Sequence, residues 1–233
     1  VPGTVVPIVP AAVVFDLGRA GPVAVRPDAS TGRAACASAT SGPVVQGVVG
    51  AGAGAVAGGL KGGVGSASAL LDGGAVVAAL VVLNAAGSAV DPATGAVLGA
   101  RAGLPGEFDE IAVTPAGLDA LRAAAAPRPP RLGTATTLAV VATDVTLDKA
   151  GCARLATMGH DGLARAIAPA HTMLDGDAVF ALATGARPAV ELPDLVALQA
   201  AAADVVSRAI AHALLAAKPV GEHPAYLDLA TLA

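Results

Sequence analysis

Residues 135–144, Ala135-Thr136-Thr137-Leu138-Ala139-Val140-Val141-Ala142-Thr143-Asp144, set an alternating apolar run behind a pair of threonines, which predicts a β-strand over 137–143. Just upstream, Pro127-Arg128-Pro129-Pro130-Arg131 and Gly133 form a stiff, polar, helix-breaking lead-in. Thr136 therefore stands where a surface loop dives into a sheet. The peptide bond before it is expected to be exposed, and its hydroxyl is placed to become an N-terminal nucleophile. Threonine is also favoured in strands, so on local pattern alone an ordinary loop-to-strand junction is the simpler account.

Working outward, a helix is predicted from about 148 to 168, stopping before Pro169, with Cys152, Ala156, Gly159, Leu163 and Ile167 along one apolar face. A loop over 170–177 leads to a strand at 178–183, and then to a long helix from roughly 192 to 217. The order strand, helix, strand, helix predicts helices packed on a sheet face. Upstream of the central strand, residues 76–84 read as a buried strand ending in the amide of Asn84. Residues 91–95 read as a turn, and 114–126 as a helix capped by Thr114 with Pro115 in its first turn. Residues 5–17 read as a core strand, 19–28 as a polar turn region and 31–40 as a short Ala-rich helix around Cys36. One domain over residues 1–233 is expected, with no internal repeat.

Composition narrows the function. The chain has 233 residues, 55% of them hydrophobic but only 2% aromatic, so the core is filled by Val, Leu, Ile and Ala and offers no stacking surface for bases. A formal charge of −4 with scattered basic residues argues against nucleic acid as a partner. Two cysteines, Cys36 and Cys152, without metal-ligand spacing predict buried thiols in a reducing, cytoplasmic setting. The longest uncharged run, 42–60, is diluted by glycines and Gln46, and 75–83 is too short to span, so no membrane segment is expected. No signal peptide opens the chain, which begins at Val1 rather than at a methionine and is read as lacking an upstream piece.

Gly52-Ala53-Gly54-Ala55-Val56-Ala57 matches a loose dinucleotide fingerprint, with Asp72 near the place of a ribose-binding acid. A pyrophosphate site needs a sound helix next, and Gly58, Gly59, Gly62, Gly63 and Gly65 each penalise one. Strands and loops with closely approaching backbones are the better reading of 47–65, so no cofactor is expected. Asp175-Gly176-Asp177, with His171 upstream, is either an acid–base cluster or a turn with Asx hydrogen bonds. His160 and His171 lack the spacing of a zinc site, and no metal is expected. His212 and His223 read as ordinary. Asn84 is a candidate oxyanion donor, or simply the start of the turn that follows.

Taken together, 6–17, Lys61-Gly62-Gly63-Val64-Gly65-Ser66-Ala67-Ser68, Val141-Ala142-Thr143-Asp144, 160–167 and 171–184 resemble the DmpA-type aminopeptidase family, which includes β-peptidyl aminopeptidases and nylon-oligomer hydrolases. The resemblance covers nearly the whole chain in unchanged order. It implies an α/β fold, an αββα sandwich of two β-sheets flanked by helices, and a precursor that cuts itself into residues 1–135 and 136–233. By position it implies that Thr136 is the nucleophile, that Asn84 helps hold the oxyanion, and that Asp175 and Asp177 orient the nucleophile and its amine. Lys61 is the candidate for the family's lysine, although Gly59 fills the corresponding place in a shortened loop. The family commonly has Asn before the nucleophile where this chain has Ala135. The related ornithine acetyltransferases, however, are cut between Ala and Thr. The family's further N-terminal segment has no counterpart here.

The resemblance therefore implies an aminopeptidase or amidase acting on small peptides, amides or esters, assembled as a homo-oligomer. Acyl transfer of the ornithine acetyltransferase kind and an inactive, truncated family member that assembles with a partner are the alternatives.

Overall fold

Val76–Leu83, here β4, has the sequence VVAALVVL, and its alternate residues Val77, Ala79, Val81 and Leu83 are almost wholly buried. That period of two builds the centre of a four-stranded sheet in the order β3-β4-β5-β6, with β3 Gly63–Leu70, β5 Leu138–Val145 and β6 Ala178–Arg187. The computed structural model describes residues 3–4, 6, 8–19, 21–125 and 134–232. The lead-in at 127–131 and Gly133 lies outside these described residues.

β3 and β5 flank β4 antiparallel, while β5 and β6 run parallel, joined by the crossover helix α3 Lys149–Ala166. Val81 stands opposite Ala139, Ala79 opposite Val141 and Val77 opposite Thr143, so one sheet face is a continuous small-residue layer. α3 and the 24-residue helix α4, Leu192–Leu215, cover that face. A shorter antiparallel sheet pairs β1, Val56–Ala57, with β2, Leu60–Lys61. The fold is thus α/β with two sheets and helices, and α3 and α4 sit on one face of the larger sheet. Its opposite face, including Ser66, Ser68, Leu80, Val140 and Ala142, forms an open cleft of about 510 Å³.

Glycines set the helix distances in a core built mostly of Val, Leu, Ile and Ala. A Cβ at Gly65 would lie 2.0 Å from the Ala209 carbonyl oxygen, and one at Gly162 would lie 2.4 Å from that of Ala203. α4 can therefore lie directly on β3 and α3. α4 has the length and hydropathy of a membrane span, and its composition is matched by burial of Leu198, Val205, Val206, Ile210 and Leu214 in this core.

Three sequence expectations are corrected. The described residues of the run 5–17 form no core strand: Val6, Ile8, Val9 and Val13 are 76–85% exposed, and none of these described residues enters a sheet. Pro7 and Pro10 deny it ladder donors, whatever its hydropathy. Cys36 is exposed rather than buried, because its helix α1, Ala29–Ala37, buries no residue, while Cys152 is half-buried. The buried face of α3 is Leu155, Gly159, Gly162, Leu163 and Ala166. Gly159, Leu163 and the following Ile167 are buried as expected, whereas Cys152 and Ala156 are only half-buried, and Leu155, Gly162 and Ala166 widen the stripe where Gly162 meets α4.

A polar clamp ties α4 to the sheet. Arg208 donates through Nε and Nη2 to the two oxygens of Glu107 at 2.7 and 2.8 Å, and through Nη1 to the Ser68 carbonyl. His212 Nε2 and the Leu104 N–H complete the carboxylate's shell. Burial pushes the Glu107 carboxyl up, but the Arg208 guanidinium, the Leu104 amide and His212 outweigh it and hold the group at about 2. A carboxyl lowered from 4.5 contributes stability that is complete above that value and is lost as pH falls through about 2. Glu107→Gln is expected to cost about 3 kcal/mol in urea unfolding at pH 7, with the deficit shrinking between pH 4.5 and 2. A deficit independent of pH would contradict this account of the clamp.

Candidate active site

The C-terminal end of β4 and the N-terminal ends of β5 and β6 meet at one edge of the sheet, and this brings Asn84, Ala135-Thr136-Thr137 and Asp175-Gly176-Asp177 together. Each β5 neighbour supplies one backbone bond to the junction. The Thr136 N–H donates to the Asn84 carbonyl at 2.7 Å, and the Gly176 N–H donates to the Ala135 carbonyl at 2.9 Å. Ala135 pairs with Asp175 as a parallel bridge. The Thr136 hydroxyl donates to the same Ala135 carbonyl oxygen at 2.6 Å. The Ala135–Thr136 peptide is therefore gripped on both sides, with the Thr136 hydroxyl beside the Ala135 carbonyl.

This corrects the expectation of an exposed bond: Ala135 and Thr136 are only 5% and 8% exposed. Pairing of the junction with β4 and the turn before β6 has already drawn it into the sheet.

The two aspartates act on the frame. Asp175 accepts from the Ala86 N–H through Oδ1, and from the Thr172 N–H and hydroxyl through Oδ2. Asp177 accepts from the Thr137 N–H at 2.8 Å and pairs with His171 Nδ1 at 2.8 Å. Both aspartates are thus spent as acceptors that fix the turn carrying Gly176 and the backbone after Thr136. His171 adopts φ 55°, and its ring meets the edge of His160 at 5.0 Å. Burial, reinforced by His171, keeps the His160 imidazole below its ordinary value. The Thr137 hydroxyl is fully buried and, among the described residues, has no hydrogen-bond partner.

Asn84 is fully buried. Its Oδ1 accepts from the Val56 N–H at 3.0 Å and from Arg19 Nη1 at 2.8 Å, and its Nδ2 donates to the Phe15 carbonyl at 3.2 Å. Arg19 also reaches the Thr134 carbonyl through Nη2 at 3.0 Å and lies over the Phe15 ring. Residues 15–19 therefore lie across the site, and sequence reasoning missed them. The Phe15-Asp16-Leu17 stretch stood within the family resemblance, but nothing in its pattern announced Arg19 as a bridge.

Lys61 does not touch Thr136 among the described hydrogen bonds. It is 1% exposed, and its three ammonium hydrogens meet three backbone carbonyls, those of Gly52, Ala55 and Gly62, each at 2.8 Å. The lysine thus ties down the loop that delivers the Val56 N–H to Asn84. Burial lowers the amine to about 8, against the opposing charge of Asp16. Between about 8 and 10.5 the unfolded chain alone holds this proton, so raising pH through that window favours the folded state. Lys61→Met leaves three buried acceptors unfilled and is expected to cost about 2–4 kcal/mol in thermal or urea unfolding. The gap from wild type should widen as pH rises from 8 to 10.5. A flat, small gap would remove Lys61 from the frame of the site.

The loose dinucleotide match dissolves in this geometry. Gly50–Gly52 is a single 3-10 turn, and residues 56–70 are strands, so no helix follows the glycines.

The family model described as peptidase family S58 matches residues 1–225. An uncharacterized aminopeptidase of Mycobacterium bovis is 48% identical over 241 residues, covering 97% of this chain and 68% of that protein. Another, of Mycobacterium leprae, is 45% identical over 245 residues, covering 97% and 66%. Among solved structures, a Burkholderia sp. beta-aminopeptidase matches with a TM-score of 0.59 at 26% identity, over 91% of this chain and 61% of its own. The L-aminopeptidase D-Ala-esterase/amidase from Ochrobactrum anthropi, described as a prototype for the serine aminopeptidases and a variant of the Ntn hydrolase fold, matches at 0.58 and 27% identity, over 84% and 51%. The chain therefore spans about half to three fifths of the length of these two solved relatives.

Proposed function

The chain belongs to peptidase family S58, and from that premise we propose that it is an N-terminal-nucleophile aminopeptidase or amidase, generated by self-cleavage between Ala135 and Thr136. The observation that carries this reading is the Thr136 hydroxyl at 2.6 Å from the Ala135 carbonyl oxygen, inside a junction buried from outside proteases. Attack by Oγ forms the Ala135 C–Oγ bond and breaks the Ala135–Thr136 C–N bond, and the hydroxyl proton passes to the departing nitrogen. Water then adds to the ester carbonyl, Oγ leaves with a proton, and the products are a carboxylate at Ala135 and an ammonium at Thr136.

The new α-amine, with an ordinary pKa of about 7.7–8.0, serves as base to the adjacent hydroxyl, which is otherwise a weak nucleophile. A small peptide, amide or ester then acylates Thr136, and water releases the acyl group. The activities for which the relatives are named, aminopeptidase and esterase/amidase, support this substrate class.

The test is release of the amine from aminoacyl amides by purified protein, with and without an added amino-acid acceptor. Hydrolysis without the acceptor is the expected result. Product that forms only when the acceptor is present would replace hydrolysis by acyl transfer, and no product in either case would refute both.

A further inference from the structure

The geometry points to the backbone N–H of Gly176 as the oxyanion donor of the self-cleavage step, an inference that rests on the self-cleavage reading above. The oxygen that becomes negative when Thr136 attacks is the Ala135 carbonyl oxygen. It accepts from the Thr136 hydroxyl at 2.6 Å and from the Gly176 N–H at 2.9 Å. The first of these donors is the nucleophile itself. Its proton leaves as the C–Oγ bond forms, so it cannot stabilise the charge it creates. The Gly176 N–H remains, inside the distance at which a fixed donor acts on a developing oxyanion.

The Asn84 amide is committed elsewhere in the uncut chain. Its oxygen accepts from Val56 and Arg19, and its nitrogen donates to the Phe15 carbonyl rather than to Ala135.

The sequence around Gly176 fits this role. Asp175 and Asp177 are each held by two partners, so the amide between them has little freedom to swing away from Ala135. Glycine suits the position because a Cβ there would stand 3.0 Å from Thr136 Oγ, tighter than ordinary contact, and would crowd the nucleophile. Oxyanion formation and collapse then run on one pinned amide. As Oγ bonds to Ala135 C, the carbonyl π electrons move onto oxygen against the Gly176 N–H. They return when the C–N bond breaks and the Thr136 nitrogen takes the proton.

The direct test exchanges the amide for an ester. Full-length Gly176→glycolic acid, made by suppression with an α-hydroxy acid, keeps the atoms of the turn but replaces N–H by oxygen. Formation of the two chains is expected to slow on the order of 10²–10³-fold. The same exchange at Leu174, whose N–H donates to the Thr172 hydroxyl, should leave the rate within a few-fold of wild type. Equal slowing at both positions, or wild-type cleavage in the Gly176 ester, would overturn the assignment.

A second measurement does not depend on the ester folding. In glycine-labelled Thr136→Ala, which stays whole, the Gly176 amide should be protected from hydrogen exchange. Exchange at the solvent rate overturns the proposal. A wild-type chain that is never cut sinks the self-cleavage reading itself, whereas a cut wild type with an equally fast Gly176 ester sinks only this role.

Discussion

Thr136→Ala is expected to remain a single 22.1 kDa chain with no measurable amidase activity, while Thr136→Ser is still cut. The alanine variant loses a hydroxyl that donates to the Ala135 carbonyl and one methyl group, so the fold should survive with a modest shift of the urea midpoint. Serine keeps the oxygen in reach of the same carbonyl and loses a methyl group from a site that is 8% exposed. If the alanine variant were cut at the same bond, another nucleophile would be responsible and the assignment of Thr136 would fall.

Asn84 carries the second large effect. Asn84→Ala removes the acceptor of the Val56 N–H and of Arg19, and the donor to the Phe15 carbonyl, from a fully buried position. It is expected to cost about 2–4 kcal/mol of stability and to lower the rate of amide hydrolysis on the order of 10²–10³-fold. These two losses separate in Asn84→Asp, which retains the oxygen facing Val56 and Arg19 but not the amide nitrogen. Near-wild-type stability with hydrolysis still reduced a hundredfold would place the Asn84 nitrogen on the substrate oxyanion after cleavage. Recovered activity in Asn84→Asp would leave Asn84 as a scaffold for residues 15–19 and 56.

What the sequence disclosed follows from where the chemistry is local. The buried strand over 76–84, the alternation in β5, the Thr114 cap and the start of α3 near residue 148 each depend on neighbours close in sequence, and the structure places them close to the expected positions. Gly47 to Gly65 could be read as strands and loops because glycine disfavours helix wherever it stands. The described part of 5–17 could not be read correctly, because hydropathy reports what a segment would bury and not whether a partner strand is present. Thr136, Asn84, Asp175 and Asp177 were named through family resemblance, and the structure gathers all four at one sheet edge. Their working contacts were not legible. Arg19 bridges 65 positions to Asn84 and 115 to Thr134, and no periodicity records such pairs. Gly176 acts through its backbone, which every residue type shares apart from proline, so composition cannot mark it. Lys61 was named but its company was not: three carbonyls leave no trace in a sequence.

The central claim is that this chain cuts itself before Thr136, and the intact mass of freshly purified wild-type protein tests it most directly. The account predicts two pieces, residues 1–135 and residues 136–233, the second opening with a free Thr136 amine on N-terminal sequencing. One undivided mass of 22.1 kDa, unchanged on prolonged incubation, would contradict it.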